Sequence, residues 1–358
     1  MKKLDWYIIK KFLGTFFFAI SLILIIVIVF DISEKIDDFM ENEAPLNAIV
    51  FNYYLNFIPF FANLFSPLFI FISVIFFTSK MANNTEVIAI LNSGMSFWRL
   101  LLPYLISAIL LASASFILGN FIIPPANKVR IDFENKYIKK RFRFRGKNIH
   151  LQLQKGQYAY MESYNRTKDI AYKFSLENIK DGKLQSKLNA NYMQWDSISE
   201  KWQVNQWQIR EFLEKGEKLS HGERLDTLIN LKPNDFKTRL SKVETMNYFK
   251  LNDYIKEEEI KGTANIVYHK IEKHKRMAFP FASIILTVIG VAVSSRKIRG
   301  GIGIHLGVGL LISFSYILFM QISTTYATNG NLTPSLAVWI PNILYAFLGL
   351  LLVMKALK

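Results

Sequence analysis

The sequence predicts a membrane protein with six transmembrane α-helices and an inserted all-β, jellyroll-like domain. Three observations lead to this fold class: long apolar runs without charged residues, a long middle region in which apolar and polar residues alternate, and basic residues concentrated beside the apolar runs. Of 358 residues 51% are hydrophobic, and the formal net charge is +16. Because lipid can bury what a soluble core of this size cannot, a membrane location explains this composition.

Five stretches contain no Asp, Glu, Lys or Arg and approach or exceed the roughly 20 residues that cross the hydrocarbon layer. They are 12–30, 51–79, 100–127, 277–295 and 300–354. The last is too long for one helix, and the segment 329–334, with its Asn-Gly-Asn and Pro, predicts a turn that leaves spans at 302–324 and 335–354. The first run is longer than a signal-peptide core of about 7–15 residues and no A-x-A site follows, so we expect an uncleaved helix.

The charges of the short loops predict the orientation. Basic residues precede the first span, bracket the second loop at Lys80 and Arg99, fill the fourth loop at 296–299 and close the chain, whereas the segment 31–43 is acidic. Both termini are therefore expected in the cytoplasm. Four basic residues break the rule on the outer side, but long translocated loops are largely exempt from it. These residues are Lys270, Lys273, Lys275 and Arg276.

The domains are predicted as residues 1–125 with the first three spans, 126–270 with the β domain, and 271–358 with the last three spans. Period-two alternation predicts six to eight strands, with no helix before about 248–259. Asp181-Gly182 predicts a tight hairpin turn, and Lys215-Gly216 and His221-Gly222 predict further breaks. A stalk without a ligand and a sheet that holds acyl chains are equally compatible with this pattern.

The sequence carries no pattern for catalysis or for a cofactor. It has no cysteine, no phosphate-binding Gly-rich loop, no H-E-x-x-H motif and no G-x-S-x-G elbow, so neither a metal site nor an enzyme is expected. His305 is the one ionisable residue within the spans, near a span end, which disfavours an ion-coupled carrier. If the protein moves a substrate, its energy is expected to come from another subunit.

The second loop, 80–99, predicts a short helix near 84–94. Asn84 or Thr85 can cap it, Glu86 suits its positive end, and Gly94 is a natural stop. Its body is apolar, with Val87, Ile88, Ile90 and Leu91. An isolated helix of this length is marginal in water, so it either rests on the membrane or docks into a groove of a cytoplasmic partner.

Four segments resemble the LptF/LptG permeases, which export lipopolysaccharide from the bacterial inner membrane. They are the start at 4–13, the segment 85–96, Pro124-Pro125 with Ala126-Asn127, and a C-terminal series at 274–282, 289–290, 330–334 and 339–342. The likeness covers both membrane halves in order, and the β domain matches by position and type. The Asp31–Lys35 exit of the first span leans toward the LptG type.

The resemblance implies a permease subunit, itself not an enzyme, that pairs with a second LptF/LptG-type permease and is driven by a dimeric, LptB-like cytoplasmic ATPase. It implies that the periplasmic domain passes lipopolysaccharide to an LptC-like jellyroll bridge. It also implies that the residues that couple the permease to the ATPase are Thr85, Glu86, Val87, Ile90, Leu91 and Gly94. The first and fifth spans would line gates, and in the fifth Gly303 and Gly307 have small-xxx-small spacing that permits close helix approach.

The outer basic residues suggest a site for the lipid's phosphates, since cations at helix mouths attract them. The candidates are Lys35, Lys128, Arg130, Lys270, Lys273, Lys275 and Arg276. The alternative is that these cations pair with the acidic residues at 31–43. A different functional class also stays open, namely a membrane-anchored binding or signalling module without an ATPase.

Overall fold

The computed structural model describes residues 3–138, 147–165, 168–213, 216–231, 233, 240–261, 266–297 and 301–356. Two compact units divide the chain. The helical unit comprises Met1–Lys139, Val243–Tyr248 and Val267–Lys358, and the sheet unit comprises Lys140–Lys242 and Phe249–Ile266.

Six helices in the described residues are long and apolar enough to cross a membrane. They are α1 (Lys3–Glu41), α2 (Leu46–Asn83), α4 (Phe97–Tyr137), α6 (Ile266–Ser294), α7 (Gly301–Thr328) and α8 (Pro334–Ala356). Two shorter helices lie between them: α3 (Glu86–Asn92) between α2 and α4, and α5 (Tyr248–Lys261) before α6. The predicted number of spans is confirmed. Three of the six, α1, α4 and α6, extend well beyond their charge-free cores, because charged residues continue the helix outside the apolar run.

The third span continues through Pro124 and Pro125 as a helix to Tyr137. Pro124 lacks an N–H and its ring would clash with the carbonyl four residues earlier. A π-helical turn at Leu118–Ile122 immediately precedes it, which widens the backbone at the place where the normal ladder cannot form. The expectation of no helix before residue 248 is therefore wrong for 126–137. The spacing of Val129, Phe133 and Tyr137 at i, i+4 and i+8 is the signal that predicts this helix.

One end of the helical unit is held by a large apolar cluster, and we call this end the near end. The cluster contains Ile8 and Phe12 of α1, Met81 of α2, Val87 of α3 and Tyr104 of α4, all at most 1% exposed. Phe12 and Tyr104 have ring centroids 6.1 Å apart, and Thr78 donates a hydrogen bond of 2.9 Å to the Tyr104 hydroxyl. The short helix is thus packed into the same core as three spanning helices.

Close helix approach within the chain occurs at Gly290 and Gly309. A Cβ at Gly290 would lie 2.9 Å from Val74, and one at Gly309 would lie 2.3 Å from Ile75, so these two glycines let α6 and α7 pack on α2. Gly303 and Gly307 differ, because no described atom of another part of the chain lies within 4 Å of their would-be Cβ positions. The small-residue pair of α7 therefore faces away from its own chain.

The sheet unit contains one antiparallel sheet of six strands in sequence order, an up-and-down meander. The strands are β1 (Lys147–Gln154), β2 (Gln157–Asn165), β3 (Ile170–Lys180), β4 (Lys183–Asp196), β5 (Lys201–Leu213) and β6 (Gly216–Thr227). This confirms an all-β insertion between the third and fourth spans.

Along each strand the side chains point alternately to the two faces of the sheet, and one of these faces carries the core. Met161, Phe174, Met193 and Trp202 are at most 1% exposed, and the Trp202 indole N–H donates a 2.7 Å hydrogen bond to the carbonyl of Leu231. A single Trp thereby fixes the segment after β6 against the sheet.

The predicted hairpin at Asp181-Gly182 is confirmed. Both residues have positive φ (51° and 74°), the geometry of a two-residue turn between β3 and β4. The predicted break at His221-Gly222 is wrong, since β6 runs through it. A Cβ on Gly222 would lie 2.9 Å from the Trp207 ring, so this glycine makes room for a cross-strand indole. Of the other predicted break, Lys215 lies outside the described residues, and Gly216 begins β6.

Candidate functional site

The short helix α3 begins and ends in left-handed backbone. Thr85 precedes it with φ +60° and its hydroxyl donates to the Asn84 carbonyl, so its side chain does not cap the helix as predicted. Gly94, two residues beyond the last helical residue, has φ +83°. Because a β-carbon disfavours this conformation, Gly94 suits the stop, whereas Thr85 carries local strain. The predicted short helix is present, and it ends before Gly94 as predicted.

The apolar side chains of α3 divide between two faces. Val87 is 1% exposed, and Ile90 and Leu91 pack against the near-end cluster. These three are at i, i+3 and i+4, the spacing of one helix face. Ile88, by contrast, is 44% exposed, and Ala89 and Asn92 lie exposed with it. Three of the predicted partner contacts therefore face their own chain, and the outward face is Ile88, Ala89 and Asn92, which the same periodicity identifies.

Polar contacts tie this loop to the start of α1. The Tyr7 hydroxyl donates to the Glu86 carboxylate at 3.3 Å. The guanidinium of Arg99 donates to both oxygens of Asp5, at 2.7 Å each. The near end thus joins residues that are about 80 to 94 positions apart in sequence.

The opposite end of α1, which we call the far end, holds Lys35 in a closed polar cluster. Its ammonium lies 2.5 Å from the Asp31 carboxylate and also contacts the Tyr53 hydroxyl. The Tyr54 hydroxyl donates to the second Asp31 oxygen at 3.1 Å. Lys35 is therefore neutralised within its own chain, as the acidic-pairing alternative expects.

Arg276 is buried, and its guanidinium is engaged by protein groups. It donates to the carbonyls of Met246 and Val243 at 2.6 Å and 2.9 Å and to Glu272 at 2.9 Å. These contacts fasten the turn at 243–246 to α6. Arg130 is also largely covered, 3.9 Å from Glu134 and with its guanidinium 5.0 Å from the centre of the Phe60 ring.

The remaining predicted cations differ in how available they are. Lys128 is exposed on α4, and Lys275 is half-buried on α6; neither makes an ion pair within the described part of the chain. Lys270 and Lys273 are half-buried and have contacts of their own. Lys275 and Lys128 are therefore the cations with the most freedom to meet an outside anion.

A cavity of about 720 Å³ lies among α2, α4, α6 and α7 of the helical unit. Its volume is within the roughly 300–1,000 Å³ of small-molecule pockets. Its walls are mostly apolar, and the apolar lining includes Phe60, Leu64, Phe65, Leu68, Ile123, Phe279, Leu286, Phe314, Ile317, Met320 and Val338. Leu64, Phe314 and Ile317 are 48 to 55% exposed, so the apolar lining is open to the outside at these positions of α2 and α7.

The polar lining of the cavity gathers mainly where α4, α6 and the 243–246 turn meet. Glu244, Glu272, Lys275 and Arg276 are there together with Asn127. The amide oxygen of Asn127 and, on α7, the hydroxyl of Ser313 are buried, and neither has a hydrogen-bond partner among the described residues. The arrangement offers apolar walls to a hydrocarbon and charged and amide groups to a polar headgroup.

The carboxyl of Glu244 is held at a raised pKa. Burial is the main cause, and the negative charge of Glu272 adds to it, while Arg130 and Arg276 oppose both. The charges of two other carboxylates and two guanidiniums therefore act on the Glu244 carboxyl: Glu134, Glu272, Arg130 and Arg276.

This raised pKa predicts a pH-dependent effect of Glu244→Gln. The folded protein keeps the Glu244 proton to higher pH than the unfolded chain, so the free energy of unfolding falls as pH rises from the ordinary carboxyl range through the raised value. The Glu244→Gln variant has no carboxyl at this position, so its free energy of unfolding does not fall with pH for this reason. We expect it to unfold at a higher temperature than wild type at pH 8, with the difference closing below about pH 4.

Tryptophan fluorescence of the purified chain in detergent measures both unfolding midpoints. Glu223→Gln makes the same chemical change at an exposed strand position and is the matched control. A Glu244→Gln variant that is no more stable than wild type at pH 8, or one whose advantage grows in acid, contradicts the argument.

Comparison with known proteins now adds to this geometry. No curated relative matches the chain. The model of one protein family, the lipopolysaccharide export system permease LptF/LptG, matches residues 6–355, nearly the whole chain. The match spans the helical unit and the sheet unit alike, and it does not distinguish the LptF type from the LptG type. The chain belongs to the LptF/LptG family of lipopolysaccharide export permeases and is a multi-pass protein of the inner membrane.

Proposed function

We propose that this permease is one half of an ATP-driven complex that extracts lipopolysaccharide from the inner membrane and passes it to a periplasmic bridge. A dimeric cytoplasmic ATPase supplies the work, and a second LptF/LptG-type permease completes the membrane part. Both termini and α3 face the cytoplasm, and the sheet unit faces the periplasm. The family match and the outward apolar face of α3 support this proposal most directly.

The geometry of α3 suits a coupling role. A seven-residue helix is too short to be stable alone, and its buried face is already held by its own chain through Val87. The opposite face leaves Ile88 exposed beside Ala89 and Asn92. A short rigid helix with one apolar side chain presented outward matches the way an anchor residue fills a pocket in a partner.

Ile88→Glu is expected to weaken retention of the ATPase by at least about tenfold, because losing a buried anchor costs about 2 kcal/mol or more. The measurement is the amount of ATPase that co-purifies with the tagged permease pair, together with its dissociation constant by titration. The thermal stability of the permease itself is expected to stay unchanged, since Ile88 lies outside the core.

Leu46→Glu is the matched control, because Leu46 is 78% exposed and begins α2 at the other end of that helix from α3. Equal retention of the ATPase by the Ile88 and Leu46 variants contradicts a coupling role for this face of α3.

The cavity is the feature that suits a lipid substrate. Exposed apolar residues of its lining would contact membrane hydrocarbon, so acyl chains could enter without crossing water. Lys275 stands at the polar rim with Arg276, Glu244 and Glu272. Because the Arg276 guanidinium already binds two backbone carbonyls and Glu272, we assign the phosphate contact at this rim to Lys275. Lys128, which is exposed and makes no ion pair within the described residues, is the next candidate.

Lys275→Glu is expected to reduce lipopolysaccharide capture by at least about tenfold, since a charge-assisted contact contributes about 1.5–3 kcal/mol. A photoreactive amino acid at Phe314 in the cavity wall reports capture as cross-linked lipid in the assembled complex. Lys183→Glu, an exposed turn residue of the sheet unit, is the control. Undiminished cross-linking in the Lys275 variant removes Lys275 from the site.

The glycine pair of α7 and the sheet edges suit the remaining partners. Gly303 and Gly307 face away from their own chain, which leaves α7 able to approach a helix of a second permease closely. Strands β1 and β6 are the two edges of the described sheet, and an edge strand can pair with a strand of another sheet. The second permease and a jellyroll bridge are the partners that these surfaces fit.

A further inference from the structure

We infer that the Asp5–Arg99 ion pair, together with the Tyr7–Glu86 hydrogen bond, is a mechanical link that makes α1 follow the movements of α3. Asp5 and Arg99 are then positioning residues: they touch neither nucleotide nor lipid, and they carry displacement from α3 into a spanning helix. The inference rests on the proposed ATP-driven function and adds to it the path by which work leaves the coupling helix.

The ion pair has the geometry of a stiff connection. Two parallel hydrogen bonds of 2.7 Å join the guanidinium to the carboxylate, and this fork fixes direction as well as distance. Asp5 is only 3% exposed, so water screens the pair less than it screens a surface pair.

Arg99 is itself held in a fixed position relative to α3. It lies five residues after the glycine stop, in the first turn of α4, where the Ser96 hydroxyl accepts a 3.3 Å hydrogen bond from its backbone N–H. Tyr7 meets Glu86 in the first turn of α3 and its ring lies 6.1 Å from that of Phe77. Both links therefore connect the ends of the α3 loop to one turn of α1.

The remainder of α1 is built to transmit a displacement. Its buried residues lie at Asp5–Ile20 and then at Phe39, while Ile25 and Phe30 between them are 64% and 70% exposed. The far end is anchored through Lys35, Asp31 and Tyr53. A 39-residue helix is about 58 Å long, so a shift at the near end tilts its weakly held middle about that anchor.

The first test measures the link in the full chain alone, in lipid nanodiscs. The sequence has no cysteine, so spin labels can be placed at Trp6→Cys and Ile88→Cys, which are both exposed. We expect one narrow distance distribution in the wild-type background and a clearly broadened one with Asp5→Asn. An unchanged distribution in Asp5→Asn overturns the link, whether or not the complex exports lipid.

The second test measures lipid released per ATP hydrolysed by the reconstituted complex. Asp5→Asn and Arg99→Gln are expected to keep ATP hydrolysis within about twofold while the ratio falls about tenfold, the size of a typical coupling between two sites. The charge-reversed double variant, Asp5→Arg with Arg99→Asp, is expected to recover a large part of the ratio. Asp253→Asn, which removes a carboxylate from an exposed pair with Lys256, is the matched control.

Outcomes of the second test separate the two claims. A parallel fall of hydrolysis and release, or an unchanged ratio, overturns the link, because a merely structural pair would lower both together. A wild-type complex that hydrolyses ATP without releasing lipid counts against the proposed function instead, and the distance measurement then still decides the link.

Discussion

Polar groups that sit among apolar helices must find their partners inside the protein, and this constraint organises the helical unit. In hydrocarbon no water is present to replace a missing hydrogen bond, so a polar side chain at depth can join two helices firmly. Asn342 of α8 accepts from the Tyr316 hydroxyl of α7 at 2.8 Å and donates to the Ala278 carbonyl of α6 at 3.1 Å. His305 lies 3.1 Å from the Arg296 carbonyl in the same way. Three spans are thereby fastened at defined heights.

The same constraint explains why α1 is tied at its two ends and loosely packed between them. Asp5 with Arg99 and Asp31 with Lys35 secure α1 at its two ends, whereas its middle presents apolar side chains outward. The cavity among α2, α4, α6 and α7 lies where polar lining gives way to hydrocarbon walls. The proposed function needs both features: firm points where force enters and a compartment that an amphiphile can occupy.

The sequence predicts the architecture well, because the signals for a membrane span and for a strand are strong and local. The six predicted spans, the Asp181-Gly182 turn and the Gly94 stop all have the expected structure. The candidate site is harder to predict from the sequence, since most of its contacts join residues that are far apart along the chain. Lys35 and Arg276 attract attention as cations. The i,i+4 spacing of Asp31 and Lys35 already allows their pairing, whereas only tertiary structure reveals that the 243–246 carbonyls occupy Arg276. The outward position of Ile88 follows from helical periodicity, whereas the pairing of Asp5 with Arg99 has no local signal.

The account depends on α3 and the sheet unit lying on opposite sides of the inner membrane, since an ATPase could not otherwise reach α3. Because the chain lacks cysteine, two single variants report the two sides directly: Ser93→Cys after α3, and Ile198→Cys in the β4–β5 turn, where Ile198 is 97% exposed. A membrane-impermeant maleimide applied to spheroplasts should label the Ile198→Cys variant at once and the Ser93→Cys variant only after the membrane is opened. Labelling of the Ser93→Cys variant in intact spheroplasts, or protection of both variants, would contradict the account.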